Sequence, residues 1–290
     1  MQPELILKAR AELAEGPVWD ARAGRLYWVD IHAGHLHVYN PASGNDLRLD
    51  LGAPVGCVAP ARGGGLVAAL KGGLVAVDLA CGELELLADP EPDKPGNRFN
   101  DGKCDPAGRF LAGSMDDAEQ DASGALYSLA PDRSLRTLLT GLRISNGLGW
   151  SPDGATFYHI DTPTRTVSAY DYDLATGALA HPRPAVTVPP ELGWPDGMAV
   201  DAEGMLWVAL WGGGAVARFD PSGGRLLAKV DLPALHVTCP TFGGAGLDEL
   251  YVTTARIGLS PAQLAAAPAS GGLFRLHPGV HGLPAFEFAG

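Results

Sequence analysis

A phrase recurs six times along this chain, and its spacing limits the folds open to the sequence. The phrase is a polar or tight-turn start, a short apolar strand some residues later, and a hairpin ending in a glycine-rich turn. Its copies read EGPVWDARAGRLYWV from Glu15, GCVAPARGGGLVAA from Gly56, NDGKCDPAGRFLAG from Asn100, NGLGWSPDGATFYH from Asn146, DGMAVDAEGMLWVA from Asp196 and CPTFGGAGLDELYV from Cys239. The starts lie 41, 44, 46, 50 and 43 residues apart. A period in the forties made of strand-like units is the mark of a β-propeller. The expected fold is therefore all-β, a six-bladed β-propeller with a central channel; a β-sandwich does not call for such regular repetition. Blades set around one axis bring equivalent positions together, so Glu15, Asn100, Asn146 and Asp196 are expected to meet at one end of the channel. Four converging oxygen-bearing side chains point to a hard cation.

The local text agrees with many short strands. RLYWVD (25–30), HLHVYN (35–40), GLVAAL (65–70), GLVAVDL (73–79), ALYSLA (125–130), TVSAYDYD (166–173), MLWVAL (205–210), AVARFD (215–220), ELYVTTA (249–255) and GLFRLH (272–277) are alternating or fully apolar and rich in Val, Leu and aromatics. Gly-containing turns separate pairs of them, and turns rich in Asp, Pro, Ser and Gly follow the second of each pair. No linker interrupts the copies, so residues 1–290 are expected to form one domain, with the segment 4–13 pairing with the last blade and closing the ring. SPAQLAAA is the only helix-like text.

The length of 290 residues suits a closed all-β architecture that buries about 75% of its unfolded surface. The 39 glycines and 24 prolines fall between apolar runs, as turns require. Acids outnumber bases by 12, a balance that repels phosphate backbones and anionic lipid, so neither nucleic acid nor membrane is an expected partner. The four cysteines, Cys57, Cys81, Cys104 and Cys239, form no CxxC pair and read as free thiols. With no apolar run of about 20 residues and a polar N-terminal stretch, the expectation is a cytoplasmic protein, taken to be a monomer.

EGPVWD (15–20), RFNDG (98–102), GSM (113–115), GALYSL (124–129), SNGLGWSPDG (145–154), YHIDT (158–162), PDGMAVDAEGMLWVALW (195–211) and VTCPTFGG followed by LYVTTAR (237–256) together resemble the regucalcin–gluconolactonase family of sugar lactonases. The likeness runs in order from about residue 10 to 276. The resemblance implies a six-bladed propeller, a divalent metal at the channel mouth and hydrolysis of aldonolactones. It implies metal ligation by Glu15, Asn146 and Asp196, and substrate contact by Arg98 and Asn100, with Asn100 also close to the metal. It further implies an acidic substrate contact after the GSM-like segment. MDDAEQDASG (115–124) offers several acids there; Glu119 is the residue chosen, with Asp117 as the alternative.

The residues themselves reach a similar chemistry. Carboxylate and carboxamide oxygens suit Ca, Mg or Mn; Zn and Fe also accept them, and the identity stays open. A shell of three or four protein oxygens leaves room for water or substrate, as catalysis needs. Asp196 is the expected general base, and the Arg98 fork suits sugar hydroxyls or a developing carboxylate. Alone, Glu15 before Gly16-Pro17, Asn146 before Gly147 and Asp196 before Gly197 are ordinary turn text; their recurrence at equivalent positions favours a site. Asp105, Asp153 and Asp201 read as hairpin structure. His32 and His159 have no assigned role, and Trp194 is a candidate wall for a sugar ring. A calcium-binding regulatory protein without significant catalysis is the alternative reading.

Overall fold

The computed structural model describes residues 1–290. β1 (Glu4–Leu7) precedes four four-stranded antiparallel sheets, each with its strands in chain order. They are β2 (Ala14–Asp20), β3 (Arg25–Asp30), β4 (His35–Asn40) and β5 (Asn45–Asp50); β6 (Val55–Pro60), β7 (Leu66–Leu70), β8 (Gly73–Val77) and β9 (Leu84–Ala88); β10 (Asn97–Cys104), β11 (Phe110–Asp116), β12 (Gly124–Leu129) and β13 (Leu135–Leu142); and β14 (Ser145–Trp150), β15 (Thr156–Asp161), β16 (Thr166–Asp173) and β17 (Ala178–Thr187).

The remaining strands are β18 (Trp194–Val200), β19 (Leu206–Trp211), β20 (Ala215–Asp220), β21 (Arg225–Asp231), β22 (His236–Gly243), β23 (Glu249–Ala255) and β24 (Leu273–Leu276). With β1 they form one eight-stranded sheet. Its two halves, β18–β21 and β22–β24 with β1, pair as strands only at Trp211 opposite His236, and a shared apolar cluster packs them together. The two rings stack there at 4.0 Å, which draws the end of β19 onto the start of β22.

The repeat copies thus begin on β2, β6, β10, β14, β18 and β22. These strands are buried along nearly their whole length, whereas β5, β9, β13, β17 and β21 are largely exposed. The sequence follows that gradient. Small and apolar residues such as VGCVAP fill a strand walled in on both faces, and charged residues such as those of NDLRLD lie on the rim. Apolar clusters fill the spaces between neighbouring sheets. One joins Val29 and Leu36 to Val58 and Ala68; another joins Trp19 and Trp28 to Tyr251 and Leu273. The last strands therefore pack on the first, with Trp19 stacked on Tyr251 at 5.9 Å.

The N-terminal segment is strand only over Glu4–Leu7, where it pairs antiparallel with β24 as the outermost strand. Leu13 returns as an isolated bridge to Ala255. The helix-like text forms α1 (Pro261–Ala266), capped by Ser260, whose side chain accepts from the backbone of Gln263 in a capping box. No helix is long and apolar enough to cross a membrane. The last ten residues cross the lower end of the molecule. Ala202 N donates to His281 O at 2.8 Å, Phe288 N to Pro60 O at 2.9 Å, and Ala289 N to Gly108 O at 3.0 Å. Phe288 is buried against Ala59 and Phe110.

Candidate metal and substrate site

Each innermost strand carries a register shift at the same place. The shifts fall between Glu15 and Val18, Val55 and Cys57, Phe99 and Gly102, Ser145 and Leu148, Pro195 and Met198, and Val237 and Pro240. A bulge re-aims a side chain that regular pleating would send into the sheet face. Glu15 borders such a bulge, and Asn100, Asn146 and Asp196 lie inside theirs. The glycine that follows each of the last two has a packing reason. A Cβ at Gly147 would stand 2.7 Å from Met198 Cβ, and one at Gly197 would stand 2.4 Å from Cys239 Sγ. Inner strands approach too closely for any side chain at these points.

The bulges direct these groups into one cavity of about 480 Å³, which Glu15, Arg98, Asn100, Glu119, Asn146 and Asp196 all line. All but Glu119 are buried. A continuous hydrogen-bond chain fixes the amides. Arg98 Nη1 donates to Asn100 Oδ1 at 2.7 Å, Asn100 Nδ2 to Asn146 Oδ1 at 3.2 Å, and Asn146 Nδ2 to Thr162 Oγ1 at 3.0 Å; Thr162 Oγ1 donates to Pro195 O at 2.8 Å. The chain runs from β10 through β14 to β18. It leaves each carboxamide oxygen one lone pair for a further partner.

Glu15 and Asp196 carry the electrostatic tension of the site. Burial raises the pKa of both carboxyls; the charge of Asp101 adds to the rise at Glu15, and that of Glu15 to the rise at Asp196. The nearby cations are engaged elsewhere: Arg98 Nε bonds Asp117 Oδ1 at 2.8 Å, and Lys103 Nζ donates to Leu148 O at 3.0 Å and to Met198 O. Asp101, deeper in the channel, keeps one oxygen, Oδ2, without a partner. Two buried acids without a counter-cation, beside two amide oxygens with spare lone pairs, fit a hard divalent ion. No three His, Cys, Asp or Glu side chains are grouped to hold a metal. An ion here must therefore take carboxamide oxygens in addition to the carboxylates.

Asp117 and Glu119 both line the cavity. Asp117 is the acid bonded to Arg98, with Lys71 Nζ at 3.5 Å and His32 Nε2 at 3.7 Å. Glu119 sits in the left-handed region at φ 59°. His32 also lines the cavity, whereas His159 does not. It is buried and meets Ser145 Oγ at 2.9 Å, and burial lowers its pKa to about 4. Trp194 and Trp211 face each other across β18 and β19 and line the mouth. Asp105, Asp153 and Asp201 hold hairpin backbone, as at Arg109 N, Ala155 N and Met205 N.

Two contributors escaped sequence reasoning. Thr162, the last link of the amide chain, stands in YHIDT without a local signal for that role. Glu91 lies outside every repeat copy, yet it accepts from Ser114 Oγ at 2.8 Å, Tyr127 OH at 2.9 Å, Asn97 Nδ2 at 3.0 Å and Lys94 Nζ at 3.1 Å. It ties together the strands that present Arg98.

Sheets of short antiparallel strands around a shared site define a β-propeller-type protein. A family signature described as SMP-30/Gluconolactonase/LRE-like region matches residues 13–256, and the chain belongs to that family. Rabbit (Oryctolagus cuniculus) regucalcin is 41% identical over 99% of this chain and 98% of its own. Among solved structures, a calcium-binding protein, regucalcin, from Agrobacterium tumefaciens matches with a TM-score of 0.93 at 32% identity, covering 98% of this chain and 96% of that one. A gluconolactonase from Xanthomonas campestris matches with a TM-score of 0.77 at 25% identity, covering 95% and 89%.

Proposed function

We propose that the protein is a metal-dependent sugar lactonase that opens an aldonolactone to its aldonic acid. The observation that carries this reading is the convergence of Glu15, Arg98, Asn100, Asn146 and Asp196 on one cavity, in a chain of the gluconolactonase family. The scaffold in this reading is a single-domain six-bladed ring over residues 1–290, the eight-stranded sheet counting as two blades and β1 completing the last.

Glu15, Asn146 and Asp196, together with Asn100, would hold one divalent ion. The ion, when bound, polarises the lactone carbonyl and lowers the pKa of an adjacent water. Asp196 takes a proton from that water as its oxygen bonds to the acyl carbon. The ring C–O bond then breaks, and the proton passes from Asp196 to the departing ring oxygen, so that lactone and water become one hydroxy acid. Arg98, held by Asp117, orients the substrate hydroxyls and meets the new carboxylate. Asn100 and Glu119 supply further contacts to the sugar. The substrate is a small molecule and the enzyme a monomer; the free cysteines suit a reducing cytoplasm.

The test is a panel of D-glucono-, D-xylono-, L-arabinono- and D-galactono-lactones assayed with EDTA and with Ca, Mg, Mn, Zn or Fe restored in turn. Metal-restored hydrolysis of at least one is expected; no acceleration of any of them refutes the reading. Asp196→Ala should lower kcat by 10³-fold or more, an order of magnitude for loss of a residue serving both base and ligand, with the circular dichroism spectrum unchanged.

A calcium-binding regulatory role is the second reading, favoured by the naming of the Agrobacterium relative as a calcium-binding protein. Tight calcium binding without turnover on the full panel would favour it.

A further inference from the structure

The cavity has two unlike walls. On the side of β3, β10 and β11 stand His32 and Arg98, linked through Asp117, with Glu119 and the single apolar Met115 beside them. On the side reached from β14 through β23, Asn146 and Asp196 are buried, and Pro163, Trp194, Trp211 and Ile257 form a more exposed apolar rim. The one hydroxyl on that side, Thr162, already donates to Pro195 O. A second sugar ring placed on this rim could stack one face on an indole, but its hydroxyls would find few hydrogen-bond partners there.

The apolar wall is also held ready. Trp194 is 41% exposed, yet it is not loose. The Arg165 guanidinium lies 3.5 Å from its ring centroid, and Arg165 Nη1 is anchored on Gly193 O at 2.8 Å. Trp211 is stacked on His236 at 4.0 Å and 5°. Each ring is braced by a planar cationic or aromatic partner, so it presents a fixed surface with little rotamer entropy left to lose. A cavity of about 480 Å³ also falls within the roughly 300–1,000 Å³ that encloses drug-sized ligands. A bare monosaccharide lactone occupies only the polar half.

We infer that the preferred substrate is a lactone carrying an apolar substituent. Its ester lies over Asp196, and the substituent lies against Trp194, Trp211, Pro163 and Ile257. The inference rests on the lactonase reading and names the substrate class of the same site.

The test is a series of γ-lactones with methyl to pentyl side chains, run beside D-glucono-lactone and a disaccharide aldonolactone on the metal-restored enzyme. We expect kcat/KM to rise by about two- to fourfold per methylene, the upper value corresponding to full transfer of a CH₂ from water. Trp194→Ala should flatten that slope, and Arg165→Gln should reduce it by loosening the ring. Trp194 is half-exposed, and unchanged circular dichroism will establish that the variants fold. A flat dependence on chain length alongside turnover of D-glucono-lactone overturns the inference and leaves the lactonase reading standing. A preference for the disaccharide lactone overturns it in favour of a glycosyl occupant. An unaltered slope in Trp194→Ala overturns the assignment of that wall. Failure to hydrolyse any lactone removes both readings.

Discussion

Glu15 and Asp196 are carboxylates that folding alone disfavours, because burial acts on both, the charge of Asp101 adds to the rise at Glu15, and that of Glu15 adds to the rise at Asp196. Glu15→Gln keeps the shape and removes one charge. In EDTA the variant should melt above the wild type, by the few degrees that roughly 1–2 kcal/mol provides. Added divalent ion should raise the melting temperature of the wild type by mass action and leave that of the variant nearly unmoved. Differential scanning fluorimetry with and without metal reads both. His159 gives a separate pH signature. Its folded-state pKa is depressed to about 4 from 6.5, so its contribution is complete above pH 6.5 and is lost as pH falls toward 4. The loss approaches roughly 3 kcal/mol. Urea midpoints should therefore fall less between pH 7 and pH 4.5 in His159→Asn than in the wild type. At this scale the sequence showed which oxygen-bearing side chains share the cavity, because they recur at equivalent repeat positions. It chose Glu119 over Asp117 with no local signal to separate them; both line the cavity, and Asp117 is the one that meets Arg98.

The inner-strand bulges are the element on which the site depends. They aim Glu15, Asn100, Asn146 and Asp196 out of the pleat, and the glycines beside them let neighbouring strands close up. Gly197→Ala puts a methyl group against Cys239 Sγ, Cβ and Cα at 2.4–2.7 Å. We expect a loss of about 1–3 kcal/mol from overpacking and a larger proportional loss of activity, because the residue that shifts first is Asp196. Thermal melts and kcat/KM measured on the same preparation compare the two. Hairpin strands such as Arg25–Asp30, His35–Asn40, Thr166–Asp173 and Glu249–Ala255 were legible to the residue. Alternation and flanking turns fix them locally. The bulges were not legible: Asn-Gly and Asp-Gly read as turns wherever the partner strand is unknown.

The whole molecule is joined by contacts between distant parts of the chain. Periodicity announced the ring. The junction of the last two strand sets through Trp211 and His236, and the route of the C-terminal segment, have no periodic counterpart and no local motif. Residues 281–290 bridge parts of the fold that lie far from them in the chain, and Phe288 is their buried anchor. Phe288→Ala should cost about 3–5 kcal/mol. At roughly 2–4 °C per kcal/mol for a protein of this size or slightly smaller, the melting point should drop on the order of 10 °C. Turnover at 25 °C should stay near wild type, because the anchor lies at the end opposite Asp196. A melt and a single-temperature assay decide this.

That same C-terminal segment lies over the ends of the inner strands opposite Asp196. Leu283, Pro284 and Phe286 line, with inner-strand residues, a second cavity of about 90 Å³, beside which Lys103 Nζ joins Leu148 O to Met198 O. The two cavities share no lining residue, so a change in this tail reaches Asp196 only by way of the inner strands.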